Sequence, residues 1–246
     1  MIRVACLALL FSLLLSCSFS TKYYRPLTKT EAASVKAAKK VWGKKTDAYR
    51  VLIITDSGNM VVRLYNETPL HRDNFVAKVK TGFYDSLMFH RVIKNFMIQG
   101  GDPESKYAKS GQMLGSGNAP GDRIPAEIHT SDLGLYHKKG VLAAARDNNP
   151  EKASSNCQFY IAQGLVFTQK GLDSAAQKRG YQVNEVQRKL YTTVGGIPHL
   201  DGNYTVYGEL ESGMEVLDKI AATKTGPADR PTHDIRMHMF LVSEKK

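Results

Sequence analysis

From Tyr49 to its C-terminal end the chain is cut into short runs of strand character, and this fragmentation most constrains its fold. Tyr49 to Thr55 and Met60 to Tyr65 flank Asp56-Ser57-Gly58-Asn59, the composition of a hairpin turn. Further strand candidates are Leu87 to Ile93, Phe96 to Gln99, Gly140 to Ala145, Gln158 to Ala162 and Thr205 to Leu210. A last one carries Ile235, Met237, Met239 and Leu241 in strict alternation. Two helical segments stand near the ends of this series. Thr68-Pro69 supplies an N-cap and a proline at the first helical position, Phe75, Val76 and Val79 form an apolar face, and Gly82 ends it. Met214 to Ala222 presents Met214, Leu217 and Ile220. The pattern predicts a mainly β fold, a closed antiparallel eight-stranded barrel with two capping helices.

One region departs from the pattern. Residues 164–196 contain two helical stretches, the second opened by the capping-box pair Asn184 and Gln187 and closed by Gly195-Gly196. Val186 and Leu190 share a face of that stretch. The region reads as a helical insertion beside the barrel.

The N-terminus follows other rules. Met1-Ile-Arg3 carries one positive charge, and Val4 to Leu15 is an apolar run too short to span a bilayer comfortably, as in a secretory signal. It ends in Leu14-Leu15-Ser16-Cys17, which resembles a bacterial lipobox. That resemblance implies cleavage before Cys17 and lipid on its sulfur. The expected organisation is a signal peptide over 1–16, a lipid-anchored tether with a short exposed helix over 17–46, and one domain over 47–246. Such a protein is held outside the cytoplasmic membrane, on its periplasmic side; the alternative is an ordinary signal and a soluble periplasmic protein. Cys6 lies in the signal and Cys17 at the cleavage point, so Cys157 is left without an internal disulfide partner and reads as a small buried hydrophobe. The chain is basic, with 34 Lys and Arg against 23 Asp and Glu. In an exported protein without an aromatic-basic motif this reads as a solvated surface, and no nucleic-acid partner is expected.

The stretch Phe89-His-Arg-Val-Ile-Lys-Asn-Phe-Met-Ile-Gln-Gly-Gly-Asp-Pro103 sets a cation and an amide among large apolar side chains. It resembles the signature segment of the cyclophilins, the peptidyl-prolyl cis/trans isomerases. Gly140-Val-Leu-Ala-Ala-Ala-Arg146, Ser155-Asn-Cys-Gln-Phe-Tyr-Ile161 and His199-Leu-Asp-Gly-Asn-Tyr-Thr-Val-Tyr-Gly208 are similar to the family's other active-face segments, in family order. The chemistry agrees with the residues. Rotation about an X-Pro bond meets a barrier of ~18–20 kcal/mol set by amide resonance, and a fixed guanidinium favours the twisted amide in which that resonance is lost. No nucleophile, metal or cofactor is required, and none is expected. His233, Asp234 and His238 do not make a metal set, because His233 and His238 would point to opposite strand faces. Gly115 to Gly121 looks phosphate-binding, yet no helix follows it.

The resemblance implies roles position by position. Arg91 would be the catalytic cation, with Gln99 bonding the substrate backbone and orienting it. Phe96, Met97, Tyr160 and Leu200 would seat the proline, Ala145 and Arg146 would offer main-chain groups to the residues before it, and Gln158, His199 and Tyr204 would rim the groove. His90 would be structural. The implied partners are proline-containing unfolded or partly folded envelope or secreted chains, with the membrane as a second partner through Cys17. Four positions depart from the family's habit. Tyr160 replaces a usual phenylalanine, His199 the tryptophan that in many members contacts cyclosporin, Tyr204 a common histidine and Arg146 a common asparagine. Tyr160, His199 and the insertion also motivate another function, a proline-peptide binding or chaperone module with weak or no isomerase activity.

Overall fold

A computed structural model describes residues 27–245, so the signal segment and Cys17 lie outside the described residues. Eight antiparallel strands form one sheet: β1 (Arg50–Thr55), β2 (Gly58–Leu64), β3 (Phe89–Ile93), β4 (Met97–Gly100), β5 (Val141–Ala144), β6 (Phe159–Ala162), β7 (Val206–Ser212) and β8 (Met237–Ser243). Their order across the sheet is β3-β4-β6-β5-β7-β2-β1-β8. All the expected strands form, with ends shifted by at most two residues. The β1–β2 hairpin pairs Thr55 with Gly58 around a two-residue turn.

The expected closed barrel needs correction. β3 and β8 are the outermost strands and share no continuous ladder, so the sheet is an open half-barrel. Between the edges runs one isolated bridge, Met88 to Arg236, flanked by hydrogen bonds from Phe89 N–H to the Ile235 carbonyl and from Met237 N–H to the Leu87 carbonyl. The flank of β3 is taken by the short turn Pro227–Asp229, which packs along it where a closing ladder would run.

Five α-helices are present among the described residues. The two expected caps are α2 (Pro69–Lys80) and α5 (Met214–Ala221), which bury Phe75, Val76, Val79 and Leu217, Ile220 on the concave side of the sheet. Thr68 stands at the N-cap of α2 but makes no side-chain cap bond. The Glu127 carboxylate does that work from far along the chain, accepting from the Leu70 and His71 N–H groups and from His71 Nδ1. Burial raises the Glu127 carboxyl pKa, but His71 and the two N–H groups outweigh it and hold it below the usual carboxylate range.

The first helix, α1 (Lys29–Trp42), carries the capping box Thr28–Glu31. It is not the exposed spacer expected from its Ala/Lys-rich sequence. Val35, Ala38 and Trp42, three to four residues apart, pack on Leu52, Ile54, Val61 and Val242 of the outer sheet face. The narrow stripe they make is enough because the sheet offers a matching apolar patch there.

The insertion forms α3 (Gln169–Arg179) and α4 (Glu185–Thr193), with the Asn184–Gln187 capping box in place. Its two ends meet: Leu165 and Lys138 both bridge to Gly196. Gly196 has φ +148°, and a Cβ there would lie 2.1 Å from the His137 carbonyl oxygen, so only glycine permits this closure. Leu172, Tyr191 and Tyr136 form the small core beneath the helix pair.

Candidate active site

The side chain of Arg91 owes its direction to a bulge. Phe89 pairs with Gly100 while Arg91 pairs with Gln99, so two residues of β3 advance against one of β4. Phe89 therefore enters the main core, and Arg91, two residues on, emerges on the opposite face of the sheet. Without the bulge the two would share a face.

Arg91 stands over a cavity of about 360 Å³ on the convex side, lined also by Phe96, Met97, Gln99, Ala145, Arg146, Tyr160, Leu200 and Tyr204. Met97 and Tyr160 come from β4 and β6, Ala145 and Arg146 follow β5, and Leu200 ends the short turn Pro198–Leu200. The structure thus brings together nine of the eleven groove residues named from the sequence.

The polar groups form a chain. Arg91 Nη1 donates to Gln99 Oε1 at 3.4 Å, Gln99 Nε2 donates to Gln158 Oε1 at 3.0 Å, and Gln158 Nε2 donates to the carbonyls of Gly115 and Gly117. Gln158 does not rim the proline cavity. It is buried beside it, in the wall of a neighbouring groove that Arg123 and Asp147 also line. His199 is likewise displaced. Its ring stacks on Phe96 with centroids 5.8 Å apart and planes 9° from parallel, and it faces another cavity beyond that wall. Burial, then the nearby Arg179 charge, lowers the His199 pKa to about 4, so the ring is neutral at neutral pH.

The unusual residues account for one another. The Tyr160 hydroxyl meets His137 Nε2 at 2.9 Å, and His137 Nδ1 meets Asp201 Oδ1 at 3.0 Å. The other Asp201 oxygen accepts from Tyr191 Oη at 2.6 Å and Gln187 Nε2 at 2.8 Å, both on α4. Burial pushes the Tyr160 pKa well above its ordinary value, so the phenol stays neutral. Its hydroxyl is thereby satisfied away from the seat. Tyr204 stands edge-on to the Tyr160 ring, and the Arg146 guanidinium lies 4.8 Å from the centroid of Tyr204. A stacked Arg–Tyr pair occupies the two positions where an asparagine and a histidine are common in the resembled family.

Sequence reasoning missed three residues of this frame. Asp229 holds Arg91 Nε at 3.3 Å from a turn whose Ala228 and Asp229 both adopt positive φ. Nothing in its local sequence marks it. His137 and Asp201 were equally unremarkable, although the lone polar departure at Tyr160 called for a buried partner. His90 is buried as a structural residue, and burial lowers its pKa to about 4. Cys157 is buried as well, and burial raises its thiol pKa, which disfavours the nucleophilic thiolate. What remains is an apolar seat beside a fixed cation, a site suited to binding and polarising an amide.

Comparison with known proteins gives a consistent answer. The family model described as cyclophilin type peptidyl-prolyl cis-trans isomerase/CLD matches residues 50–241. A Staphylococcus aureus protein named as a peptidyl-prolyl cis-trans isomerase is 35% identical over 196 residues, covering 79% of this chain and 92% of the relative. Its Staphylococcus saprophyticus counterpart is 33% identical over the same coverage. A crystal structure of a Cryptosporidium parvum cyclophilin superposes with a TM-score of 0.58 at 23% identity, over 79% of this chain and 97% of that one. The structure of that protein in the presence of the dipeptide Ala-Pro gives 0.57 at 23% identity, over 78% and 98%.

Proposed function

The chain belongs to the cyclophilin-type peptidyl-prolyl cis-trans isomerases, and from that premise we propose that it accelerates X-Pro rotation in envelope or secreted polypeptides by non-covalent stabilisation of the twisted amide. The observation that carries this reading is the Arg91 guanidinium, anchored on two sides, over a seat made by Phe96, Met97, Tyr160 and Leu200. The proline ring fills the apolar seat. With Nε engaged by Asp229 and Nη1 by Gln99, the guanidinium plane is held and Nη2 is left to donate to the prolyl carbonyl or nitrogen as the amide twists. The interaction is stronger in the twisted state than in either planar isomer, so it lowers the barrier rather than merely binding. The Ala-Pro dipeptide studied with the Cryptosporidium protein is a minimal ligand of the class proposed here.

Exchange of an X-Pro peptide, followed by NMR with wild-type protein and with Arg91→Ala, tests the proposal. The variant is expected to lose on the order of 100-fold or more in catalysed exchange. No acceleration by the wild type would overturn the isomerase reading, and equal acceleration by both would remove Arg91 from it.

The site of action follows from the N-terminus. We place the protein outside the cytoplasmic membrane, anchored by lipid on Cys17 after removal of residues 1–16, with the catalytic domain over 47–246. Among the described residues no helix is long and apolar enough to cross a membrane. Cys17→Ser should leave an unprocessed precursor on a gel; normal maturation of that variant would count against the anchor.

A further inference from the structure

Behind the wall made by Phe96 and His199 lies a second cavity, of about 410 Å³, closed on its far side by the insertion. Leu165, Phe167, Ala175 and Tyr181 face it from the insertion and the segments that flank its helices. Phe96 lines both this cavity and the proline seat, so the two are continuous across one ring. We infer that this cavity is a second subsite, which takes a large apolar or aromatic side chain of the same client chain, on the C-terminal side of the proline.

The inference rests on the isomerase reading of the groove and adds to it a substrate preference. Direction comes from the layout of the groove. Ala145 and Arg146, assigned to the residues before proline, lie toward the groove that Gln158 and Arg123 line. The Phe96–His199 wall and the second cavity lie past the seat, so a chain crossing it delivers the residues after proline there. At ~3.3–3.6 Å per extended residue, a side chain roughly two to four positions after proline would reach over the wall.

The lining is mostly apolar, with Leu165, Phe167, Ala175, Ile197 and Pro198 outnumbering the exposed polar residues Asn95 and Arg179. His199 is neutral at neutral pH, as its lowered pKa of about 4 dictates, and presents a flat ring to the cavity. Leu165 is half-exposed where it lines the cavity. The far wall is tied to α4, since Phe167 N–H donates to the Tyr191 carbonyl at 2.9 Å and its ring packs on Tyr191 and Leu172. Tyr191 and Gln187 of α4 bond Asp201, which holds His137 and through it Tyr160 in the floor of the seat. A subsite built this way is preformed and costs little to order on binding.

Two labelled X-Pro peptides, identical except for Phe or Ala at a position two to four residues after proline, test the inference by fluorescence anisotropy with the purified protein. At one of these positions the Phe peptide is expected to bind about 10-fold more tightly. Ala175→Trp, which fills the cavity, should bring that ratio close to one, and Leu165→Ala, at a half-exposed position, should reduce it to about 3-fold. Equal binding of the pair by wild type at all three positions would overturn the subsite. So would an undiminished ratio in both variants. NMR exchange on the same peptides separates the two readings: a Phe preference without any acceleration would support the subsite and sink the isomerase activity.

Discussion

The strip made by β4, β6 and β5 has two faces, built from alternate residues of the same strands and held together in different ways. Toward the main core point Ile98, Phe159, Ile161 and Leu142, all fully buried. Phe159 meets Phe75, Tyr84 and Phe89 edge-on, with ring centroids 5.6–6.2 Å apart. Toward the proline seat point Met97, Tyr160, Ala162 and Ala143, one residue along the register. Here the strands supply only a floor. The walls arrive from loops, and a chain of polar groups, Tyr160 to His137 to Asp201, braces the floor from beneath. One face gains its stability from area and close packing, the other gains its shape from directed bonds.

The comparison can be broken by substitution at neighbouring positions. Phe159→Ala should cost about 3–5 kcal/mol in denaturant unfolding, since it opens a cavity that the surrounding rings cannot collapse into. At the bulge where the faces exchange, His90 offers a pH test. Its folded pKa of about 4 lies below the unfolded value of 6.5, so the unfolded state binds the proton first. Stability should be fully present above pH 6.5 and fall by on the order of 3 kcal/mol as pH drops to about 4. His90→Gln should flatten that part of the curve; an unchanged slope would show that other groups cause it.

On the seat side the expected effects are smaller and of another kind. Tyr160→Phe leaves His137 Nε2 without its partner and should cost about 1–2 kcal/mol, while the affinity for proline peptides stays near wild type because the ring remains. A cost as large as that of Phe159→Ala would erase the distinction between the faces. Asp229→Asn should lower kcat/KM by roughly 3–10-fold with an unfolding midpoint near wild type, since an exposed ion pair contributes little to stability. Raising the salt concentration should narrow the gap between wild type and variant, because the pair is open to screening. A gap insensitive to salt would assign Asp229 a role in loop shape instead.

The two faces also differ in how readable they were. Alternation along β6 and β8 and the apolar faces of α2 and α5 are local signals, and the strands and caps lie where those signals put them. The groove segments were legible through family likeness, which named Arg91 and Gln99 as well as the seat. Alternation alone misassigns Arg91, because the bulge reverses its face relative to Phe89 and leaves no mark in composition. Asp229 lies 138 positions from Arg91, and His137 lies 64 from Asp201, so no local pattern could pair them. Barrel closure was misjudged for a similar reason, since the strand count carries no information about the Pro227–Asp229 turn that flanks β3. The docking of α1 escaped notice because its buried stripe is only three residues wide.

That docking changes how far the enzyme can roam. Had residues 17–46 been a loose leash, an anchor on Cys17 would have let the domain range over roughly 100 Å at full stretch. With α1 clamped to the sheet from Lys29 onward, the slack that the proposed anchor would leave shrinks to about 40 Å at full stretch. Under the proposed anchor, a catalyst on so short a lead would work in a thin shell above the lipid surface. Clients would be met as they emerge from the bilayer, before they diffuse into the open compartment.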